Sequence, residues 1–160
     1  MSLPTVDPPE FRQLLGRFAT GVVIITVIAP DGRPHGMTAN SLVSVSLGPP
    51  LVSVCIDHRA ELHAVVTVAE RFVVNILAAD QEALSRRFAD PHDDRFDGVG
   101  YTLSERGSLV LDGTLAHIEC ARCALHEAGD HTIVVGQVLG GGTGAGRPLL
   151  YYRGGYAALA

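Results

Sequence analysis

Small polar side chains interrupt an otherwise apolar stretch near residue 40, and their chemistry is that of a binding site. Thr38, Asn40 and Ser41 lie within residues 33–60, a segment that reads as strand, polar loop, strand, Pro-Pro break, strand and polar tip. Burying such groups without partners costs roughly 2–7 kcal/mol on transfer scales, so each needs a hydrogen-bond partner. That partner is either the backbone or a flat heteroaromatic ligand with matching donors and acceptors on its edge. We interpret the loop as one wall of a pocket for a planar ligand.

The basic residues restrict how the chain could hold a phosphate. All 12 are arginine and lysine is absent, which excludes a Schiff base to pyridoxal phosphate and a phosphate loop built on Gly-Lys-Ser/Thr. A bound phosphate would therefore be held by arginine side chains and backbone N–H groups. Adjacent arginines are by default a solvated basic face. In a chain this poor in cations, Ser85-Arg86-Arg87 is nevertheless a candidate for phosphate binding.

One histidine stands apart in its setting. His131 directly follows Gly129 and Asp130, at the predicted mouth of a hairpin. A single histidine is more often structural or solvated than functional, but a neutral imidazole is a useful polar contact near a charge-transfer reaction. Both interpretations stay open from position alone.

Two further patterns resemble known sites and are better explained by strand structure. Residues 140–146 are rich in glycine but lack lysine and the Gly-x-Gly-x-x-Gly spacing, so we expect a flexible hairpin connection. Four potential zinc ligands recur every third residue: His117, Cys120, Cys123 and His126. Side chains alternate between the two faces of a strand, so these four could not converge on a tetrahedral ion. We predict no metal site here and no disulfide between the two cysteines.

The composition is that of one globular domain. The chain has 160 residues, 47% apolar and 18% charged, enough for a single domain over 1–160 with its own core. The net charge of −5 makes nucleic acid and anionic membrane surfaces poor general partners. The first residues carry neither a basic start nor an apolar run, and no stretch approaches the ~20 apolar residues that span a bilayer. We expect a soluble cytoplasmic protein.

The hydrophobic pattern predicts one helix and then a strand at the start of the chain. Asp7-Pro8-Pro9-Glu10 combines an N-cap, a proline in the first turn and a glutamate three residues after the cap. Apolar residues follow at helical spacing through Phe18, and Gly21 ends the helix. Residues 22–28 are a nearly continuous β-branched run, typical of a strand that is buried on both faces.

The rest of the chain alternates strands with turns and a few helices. We predict helices over 59–70 and from an Asp80 cap through Arg87, an acidic irregular loop over 89–100, and strands over 71–77, 113–127, 131–140 and 149–153. Because turns rather than helices link most strands, we predict a closed antiparallel barrel with helical additions instead of a βαβ sheet.

Several segments follow one another along the chain in a specific order. They include Gly16-Arg17-Phe18-Ala19-Thr20-Gly21-Val22, His35-Gly36-Met37-Thr38-Ala39-Asn40-Ser41, Arg71-Phe72-Val73-Val74-Asn75, Ser85-Arg86-Arg87-Phe88, Gly129-Asp130-His131 and Arg153-Gly154-Gly155-Tyr156. Taken in order, these segments resemble the flavin reductase family, the small reductase components of two-component flavin monooxygenases. The resemblance covers the core 10–156, and the order and spacing of the segments are more specific than any one of them. It implies a mainly β fold with helical additions, the FMN-binding split β-barrel.

This resemblance implies an NAD(P)H:flavin oxidoreductase that works as a homodimer and supplies reduced FMN or FAD to a separate oxygenase component. It also implies a role for each matching residue. His131 would face the nicotinamide, as the catalytic residue. The flavin would be held by residues lining the isoalloxazine ring (Met37, Thr38, Ala39, Asn40, Ser41), by those around ribityl and phosphate (Cys55, Asp57, His58, Arg59, Ala60, Ser85, Arg86, Arg87) and by two that close the pocket (Arg153, Tyr156).

The chain departs from the family in one place, and two other functions stay open. Relatives usually carry Ser or Thr near positions 60 and 62, where this chain has Ala60 and Leu62, so backbone N–H groups and Arg59 are expected to replace a hydroxyl contact. One alternative is a flavin- or haem-binding split-barrel module without turnover, which His131 disfavours. The other is an oxidase of the pyridoxamine-phosphate type, which the missing basic ligands in the expected loop disfavour. The choices between FMN and FAD and between NADH and NADPH stay open.

Overall fold

Strands dominate the secondary structure. A computed structural model describes residues 3–91 and 93–160. In these residues the helices are α1 Pro8–Leu15, α2 Glu61–Val66 and α3 Glu82–Ala89, the last preceded by a short 3-10 helix at Ala79–Gln81. The strands are β1 Thr20–Gly21, β2 Val23–Ile28, β3 Pro34–Ala39, β4 Val43–Leu47, β5 Pro50–Asp57, β6 Arg71–Ile76, β7 Tyr101–Leu103, β8 Leu109–Leu111, β9 Ala116–Ala128, β10 His131–Thr143, β11 Leu150–Tyr152 and β12 Gly155–Ala157.

One curled antiparallel sheet organises these elements. Seven of the described strands form it in the order β3-β2-β6-β9-β10-β5-β4, and two small sheets, β1-β11-β12 and β7-β8, complete the fold. The hairpin of β9 and β10 lies at its centre, with β6 paired to β9 and β5 paired to β10. The segment after β3 reaches across to β5, where the Cys55 N–H donates to Ser41 Oγ at 2.9 Å. The predicted mainly β fold with helical additions is confirmed.

The core has two parts, one on each side of β2. Val23, Ile25 and Val27 pack into a cluster inside the curled sheet, whereas Ile24 packs with Phe88 and residues of β8 in a second cluster outside it. Both faces of β2 are therefore buried, as its continuous β-branched run predicts. The outer cluster also fixes α3 against the sheet, because Phe88 is fully buried there.

Helix α1 is shorter than predicted, and its apolar face is not covered. The Asp7 cap is present, because Asp7 Oδ1 accepts a hydrogen bond from the Glu10 N–H at 2.8 Å. The helix nevertheless ends at Leu15 rather than near Gly21, and none of its residues is buried. Phe18 is 73% exposed. The spacing of apolar residues located the helix, but packing within this chain buries none of its residues.

Helices α2 and α3 also differ from the predicted ranges. α2 covers only six residues of the predicted 59–70. Asp80 is not the cap of α3, because the 3-10 helix intervenes and Gln81 occupies the N-cap position. The Gln81 side chain accepts the Ala78 N–H at 2.9 Å, which closes this turn in place of an aspartate cap. Within the described ranges, no helix is both long and apolar enough to cross a membrane.

The first four residues of the glycine-rich segment belong to β10, so the predicted flexible connection over 140–146 is wrong for 140–143. β10 continues through Thr143 and pairs with β9 as far as Ala116. A Cβ atom on Gly141 would collide with the carbonyl oxygen of His117. Glycine is needed here because the two strands approach closely, not because the chain must be flexible.

Four short strands escaped prediction because two or three residues carry no readable alternation. They are β1, β7, β8 and β12. β8 is fixed by a buried side chain: the Leu111 N–H donates to Asn75 Oδ1 at 2.9 Å, and Asn75 Nδ2 donates to the Ile24 carbonyl at 2.9 Å. Asn75, which is fully buried on β6, thus joins three strands through its amide.

Candidate functional site

The polar stretch near residue 40 lies at an edge of the sheet, and most of it is strand rather than loop. Met37, Thr38 and Ala39 belong to β3, and Ala39 pairs with Val23 of β2. Thr38 Oγ1 donates to the Ser85 carbonyl of α3 at 2.6 Å. The backbone therefore satisfies this hydroxyl, and its burial alone does not require a ligand. Asn40 is exposed and lies just after β3, so it is not part of the strand pairing.

α3 and the carboxyl-terminal hairpin bring three predicted phosphate and pocket residues together. Ser85 Oγ and the Tyr156 hydroxyl are 2.6 Å apart. The Arg86 guanidinium lies over the Tyr156 ring, 4.7 Å from its centroid, in a cation–π arrangement. Arg86 also donates to Glu82 Oε1 at 2.7 and 2.9 Å, and this hydrogen bond raises the pKa of Arg86. Since Thr38 bonds to Ser85, the cluster is continuous from β3 to β12.

The segment after β3 is fastened to β5. Ser41 Oγ accepts the Cys55 N–H at 2.9 Å and donates to the Cys55 carbonyl at 3.3 Å. This pair holds residues 40–42 beside the end of β5. Ser41, predicted to line the flavin ring, therefore lies beside Cys55, predicted to lie near ribityl and phosphate.

Asp57 and Arg59 form a closed pair at the end of β5. Asp57 Oδ1 accepts the Arg59 backbone N–H at 2.8 Å, and Asp57 Oδ2 accepts Arg59 Nη2 at 2.9 Å. The hydrogen bond from Arg59 holds the pKa of the Asp57 carboxyl well below its usual range. The same hydrogen bond raises the pKa of the Arg59 guanidinium. The Arg59 side chain is 86% exposed, so the guanidinium stays accessible to an anion.

His131 begins β10 directly opposite Asp57, its partner in the strand register. His131 Nδ1 lies 2.7 Å from Asp130 Oδ1, and this contact lowers the pKa of Asp130. An ionised carboxylate only accepts, so Nδ1 donates in this contact, and in the corresponding neutral tautomer Nε2 can accept a hydrogen bond. The side chain is 40% exposed. The structure thus places an imidazole that can offer a hydrogen-bond acceptor opposite Asp57.

His58 and Ala60, which were also predicted to contact the flavin, do not direct a polar side chain toward this site. His58 Nε2 is 2.8 Å from Glu127 Oε2, so the His58 ring turns toward β9. The His58 N–H donates to the Asp130 carbonyl at 3.0 Å, which ties this turn to the β9–β10 turn. Ala60 occupies the N-cap position of α2, where its side chain makes no capping hydrogen bond.

Arg87 is turned away from the rest of the predicted site. Its Nη2 donates to the carbonyl oxygens of Asp94 and Asp97 at 2.8 and 2.7 Å. On the helix, Arg86 and Arg87 are consecutive and point to different sides, which the dipeptide in the sequence does not reveal. Arg87 serves the loop after α3 in this structure.

Arg153 lines a recess that sequence reasoning missed. It is the only non-glycine residue with positive φ (54°) in the described chain, and its N–H donates to the Gly16 carbonyl at 2.9 Å. The recess, of about 240 Å³, lies between α1 and the β11–β12 hairpin and has aromatic walls. Those walls come from Phe11, Phe18 and Tyr151, and the polar lining residues are Arg12, Asn40 and Arg153.

The aromatic walls had only a weak signal in the sequence. Aromatic residues make up 6% of a chain without tryptophan, so a cluster of three is notable only once α1 meets the hairpin. In the described residues, one buried side-chain polar atom lacks a hydrogen-bond partner, and it is Thr20 Oγ1. Thr20 pairs in register with Tyr151, a residue of the recess wall.

The two cysteines among the four residues that recur every third position differ in burial. Cys120 is buried and Cys123 is exposed. Among the described residues, no group of three or more His, Cys, Asp or Glu side chains is arranged to hold a metal ion. The absence of a bound metal stays a prediction, which metal analysis of the purified protein would test.

The donor set suits a flat, partly apolar ligand that carries phosphate. An aromatic recess with few polar groups is typical of sites for planar ring systems. Arg59 and Arg86 are accessible cations in a chain without lysine. No nucleophile paired with a base is found among the side chains grouped here, so the arrangement fits binding and alignment better than covalent catalysis.

Comparison with known proteins gives a consistent family. The flavin reductase like domain matches residues 15–160. The FMN reductase (NADH) SmoA of Agrobacterium fabrum is 43% identical over 147 residues, 92% of this chain and 83% of that protein. The reductase subunit HsaB of a flavin-dependent monooxygenase from Rhodococcus jostii is 41% identical over 155 residues, 96% of this chain and 79% of that protein.

A solved structure extends the similarity to the fold. The NADH:FAD oxidoreductase SgcE6 of Streptomyces globisporus, solved in complex with NAD and FAD fragments, superimposes with a TM-score of 0.91 at 40% identity. The match covers 99% of this chain and 98% of that one. Sequence and fold therefore agree over nearly the whole length.

Proposed function

Because the chain belongs to the flavin reductase like family, we propose that it is an NADH-dependent flavin reductase that supplies reduced flavin to a separate oxygenase. The observation that carries the proposal is family membership over residues 15–160, joined to a site whose side chains bind rather than react. SmoA and SgcE6 are both named for NADH, which favours NADH over NADPH. One is named for FMN and the other for FAD, so we propose that either flavin is accepted.

Hydride transfer from nicotinamide to flavin requires no acid or base from the protein. When bound, a flavin takes a hydride from reduced nicotinamide, and that chemistry belongs to the two nucleotides themselves. The protein must bind both, align them and exclude water. This explains why the site holds hydrogen-bonding and aromatic groups and no acid–base pair.

The residues near β3 and β5 would hold the flavin. Asn40 and the backbone N–H groups of residues 37–41 would face its ring edge, while the Ser41–Cys55 pair keeps this segment in place. Arg59 and Arg86 would bind the phosphate, since both guanidinium groups are largely exposed while they pair with Asp57 and Glu82. Ala60 has no capping hydroxyl, and the N–H groups of residues 58–60 already donate within the chain, so the Arg59 guanidinium is the donor that we propose there.

His131 would bind the nicotinamide. Its Nε2 lone pair can accept a hydrogen bond from a carboxamide N–H, with Asp130 fixing the tautomer through Nδ1. No proton transfer by His131 is required.

We further propose that two copies of this chain form a homodimer. An uncovered apolar face on α1 includes Phe11, Leu14 and Leu15, each more than half exposed. β4 is a sheet edge that exposes Val43, Val45 and Leu47. Apolar surfaces of this kind in a soluble chain mark contact sites, and self-association is the commonest way to cover them.

The partner and compartment follow from the same reasoning. HsaB is named as the reductase subunit of a flavin-dependent monooxygenase, so we propose an oxygenase as the consumer of the reduced flavin. We also propose a cytoplasmic location, because the three cysteines are free, as is usual in a reducing compartment.

One assay tests the proposed activity. The purified protein is mixed with FMN or FAD and with NADH or NADPH, and nicotinamide oxidation is followed at 340 nm. We expect turnover with NADH and with at least one flavin. Tight flavin or haem binding without nicotinamide oxidation would instead indicate a carrier module. Oxygen-dependent turnover of pyridoxamine phosphate without nicotinamide would indicate the oxidase alternative.

A further inference from the structure

A chain of hydrogen bonds behind His131 connects three elements of the site. Thr132, the next residue, is fully buried, and its side chain lies on the opposite face of β10 from His131. Thr132 Oγ1 donates to Glu127 Oε1 at 2.8 Å and lies 2.9 Å from His63 Nε2 of α2. Because the hydroxyl hydrogen goes to Glu127, the hydrogen between Thr132 and His63 must come from the imidazole.

Glu127 closes this chain on the other side. Its second oxygen, Oε2, is 2.8 Å from His58 Nε2, and the His58 and His63 rings meet edge-to-face at 5.1 Å. The hydrogen bond from Thr132 lowers the pKa of Glu127, so the carboxylate is ionised and accepts from both sides. Every polar hydrogen in the series His63, Thr132, Glu127, His58 therefore has an acceptor.

The network spans the two halves of the proposed site. His58 lies in the Asp57–Ala60 turn that would bind the flavin phosphate, and His63 lies on α2, which begins directly after that turn. Thr132 lies one residue beyond His131, which would bind the nicotinamide. The hydroxyl of Thr132 is the buried centre of the network, since Glu127 is largely exposed.

We propose that Thr132 is a positioning residue for hydride transfer: through His63 and Glu127 it holds the flavin-phosphate turn and α2 at a fixed distance from His131. This inference rests on the proposed flavin reductase activity. Relative placement of two reactants matters more to rate than to the affinity for either one, and an error of about 1 Å can cost about 100-fold in rate. Loss of the network should therefore slow hydride transfer while each nucleotide still binds.

The experiment compares Thr132→Val with Thr132→Ser. Valine keeps the shape and removes the hydroxyl, whereas serine keeps the hydroxyl. In single-turnover stopped-flow at saturating FMN and NADH, we expect the rate constant for flavin reduction to fall about tenfold or more in Thr132→Val. Thr132→Ser should stay within about twofold of wild type, and the Kd for FMN should change by less than about threefold in both.

A second pair of variants keeps the test decisive if Thr132→Val does not fold. His63→Gln retains an N–H donor near the Nε2 position and should keep most of the rate, whereas His63→Leu should lose it as Thr132→Val does. A reduction rate within twofold of wild type in Thr132→Val or His63→Leu, with only the melting temperature lowered, would overturn the proposal. If wild type oxidises no NADH with either flavin, the proposed function fails and this inference fails with it.

Discussion

The predicted site residues divide into those whose polar groups stay accessible and those whose side chains are directed to other parts of the chain. His131 keeps a free Nε2, and Arg59 and Arg86 keep accessible guanidinium groups. Arg87 is held by two carbonyl oxygens and the His58 ring by Glu127. Neighbouring arginines such as Arg86 and Arg87 therefore have different expected roles, and so do His131 and His58.

Replacing His131 should affect the nicotinamide substrate more than the flavin. His131→Ala removes the Nε2 acceptor from an exposed ring, so the protein should stay folded and kcat/KM for NADH should fall roughly 5–30-fold, or about 1–2 kcal/mol. Steady-state kinetics and FMN titration measure the two effects separately. His117→Ala, at the far end of the same hairpin opposite Gly142, is the matched control. Unchanged NADH kinetics would mean that His131 is an ordinary surface histidine.

The three arginines should rank by accessibility toward the phosphate. Arg59→Ala and Arg86→Ala should each weaken FMN binding by about 1.5–3 kcal/mol, because a charge-assisted contact is lost. Arg87→Ala should leave the FMN Kd near wild type and instead loosen the loop after α3. Riboflavin, which lacks the phosphate, should bind all variants like wild type. Equal FMN affinity in all three variants and wild type would exclude these residues from phosphate binding.

Cys120 should be chemically silent. Burial raises the pKa of the Cys120 thiol to about 12, so almost no thiolate is present at pH 8. Iodoacetamide should label the exposed Cys123 in the folded protein and both residues in denaturant. Tryptic cleavage after Arg122 separates the two cysteines, and mass spectrometry then reads each one. Equal labelling rates in the folded protein would contradict the buried position of Cys120.

At the scale of elements, close packing of α3 on β3 is what aligns Ser85 with Thr38. Gly36 on β3 lies under the Phe88 ring, and a Cβ there would approach Phe88 Cε1 to 2.7 Å. Phe88 is fully buried, so its ring cannot move aside without disturbing the residues packed around it. The absence of a side chain at residue 36 therefore sets the distance between helix and strand.

A methyl group at this position should push the two elements apart. Gly36→Ala should lower the free energy of unfolding by about 1–3 kcal/mol through overpacking, and it should weaken flavin binding because Thr38 and Ser85 separate. Urea unfolding and FMN titration measure these two quantities. Gly21→Ala, where a Cβ meets nothing within 4 Å, should change neither by much. Equal stability of the two variants would show that α3 can shift at no cost.

At the scale of the molecule, the isolated chain leaves more apolar surface exposed than its fold can cover. The α1 face, Phe18 just after it and the β4 edge together expose seven large apolar residues: Phe11, Leu14, Leu15, Phe18, Val43, Val45 and Leu47. Leu47 alone is 92% exposed. An eight-residue helix without a buried residue is marginal by itself, so we expect a partner surface to cover it.

Sedimentation equilibrium tests whether that partner is a second copy. At micromolar concentration we expect twice the chain mass of 16.9 kDa. Leu14→Glu and Leu47→Glu place a charge in one or the other surface, and at least one of them should dissociate the dimer. Val68→Glu, at an exposed apolar residue outside both surfaces, should leave it intact. A monomeric wild type would exclude the homodimer.

The sequence by itself determined the elements whose signal is local. The β-branched run at 22–28 predicted a strand buried on both faces, and the Asp7 cap predicted the start of α1, because these preferences act within a few residues. The family resemblance, carried by ordered segments along the chain, gave the fold and the activity class. Both are confirmed by the matches over nearly the whole length.

Only the tertiary structure decided the features that depend on distant residues. Strand pairing with β9 turned the glycine-rich segment into part of β10, and the 3-10 helix displaced the predicted cap at Asp80. Backbone partners for Thr38 and Ser41 came from α3 and β5, far along the chain. The Thr132–His63 contact joins residues 69 apart. Such contacts leave no local pattern because their energy depends on which elements meet, and that is set by the packing of the whole chain.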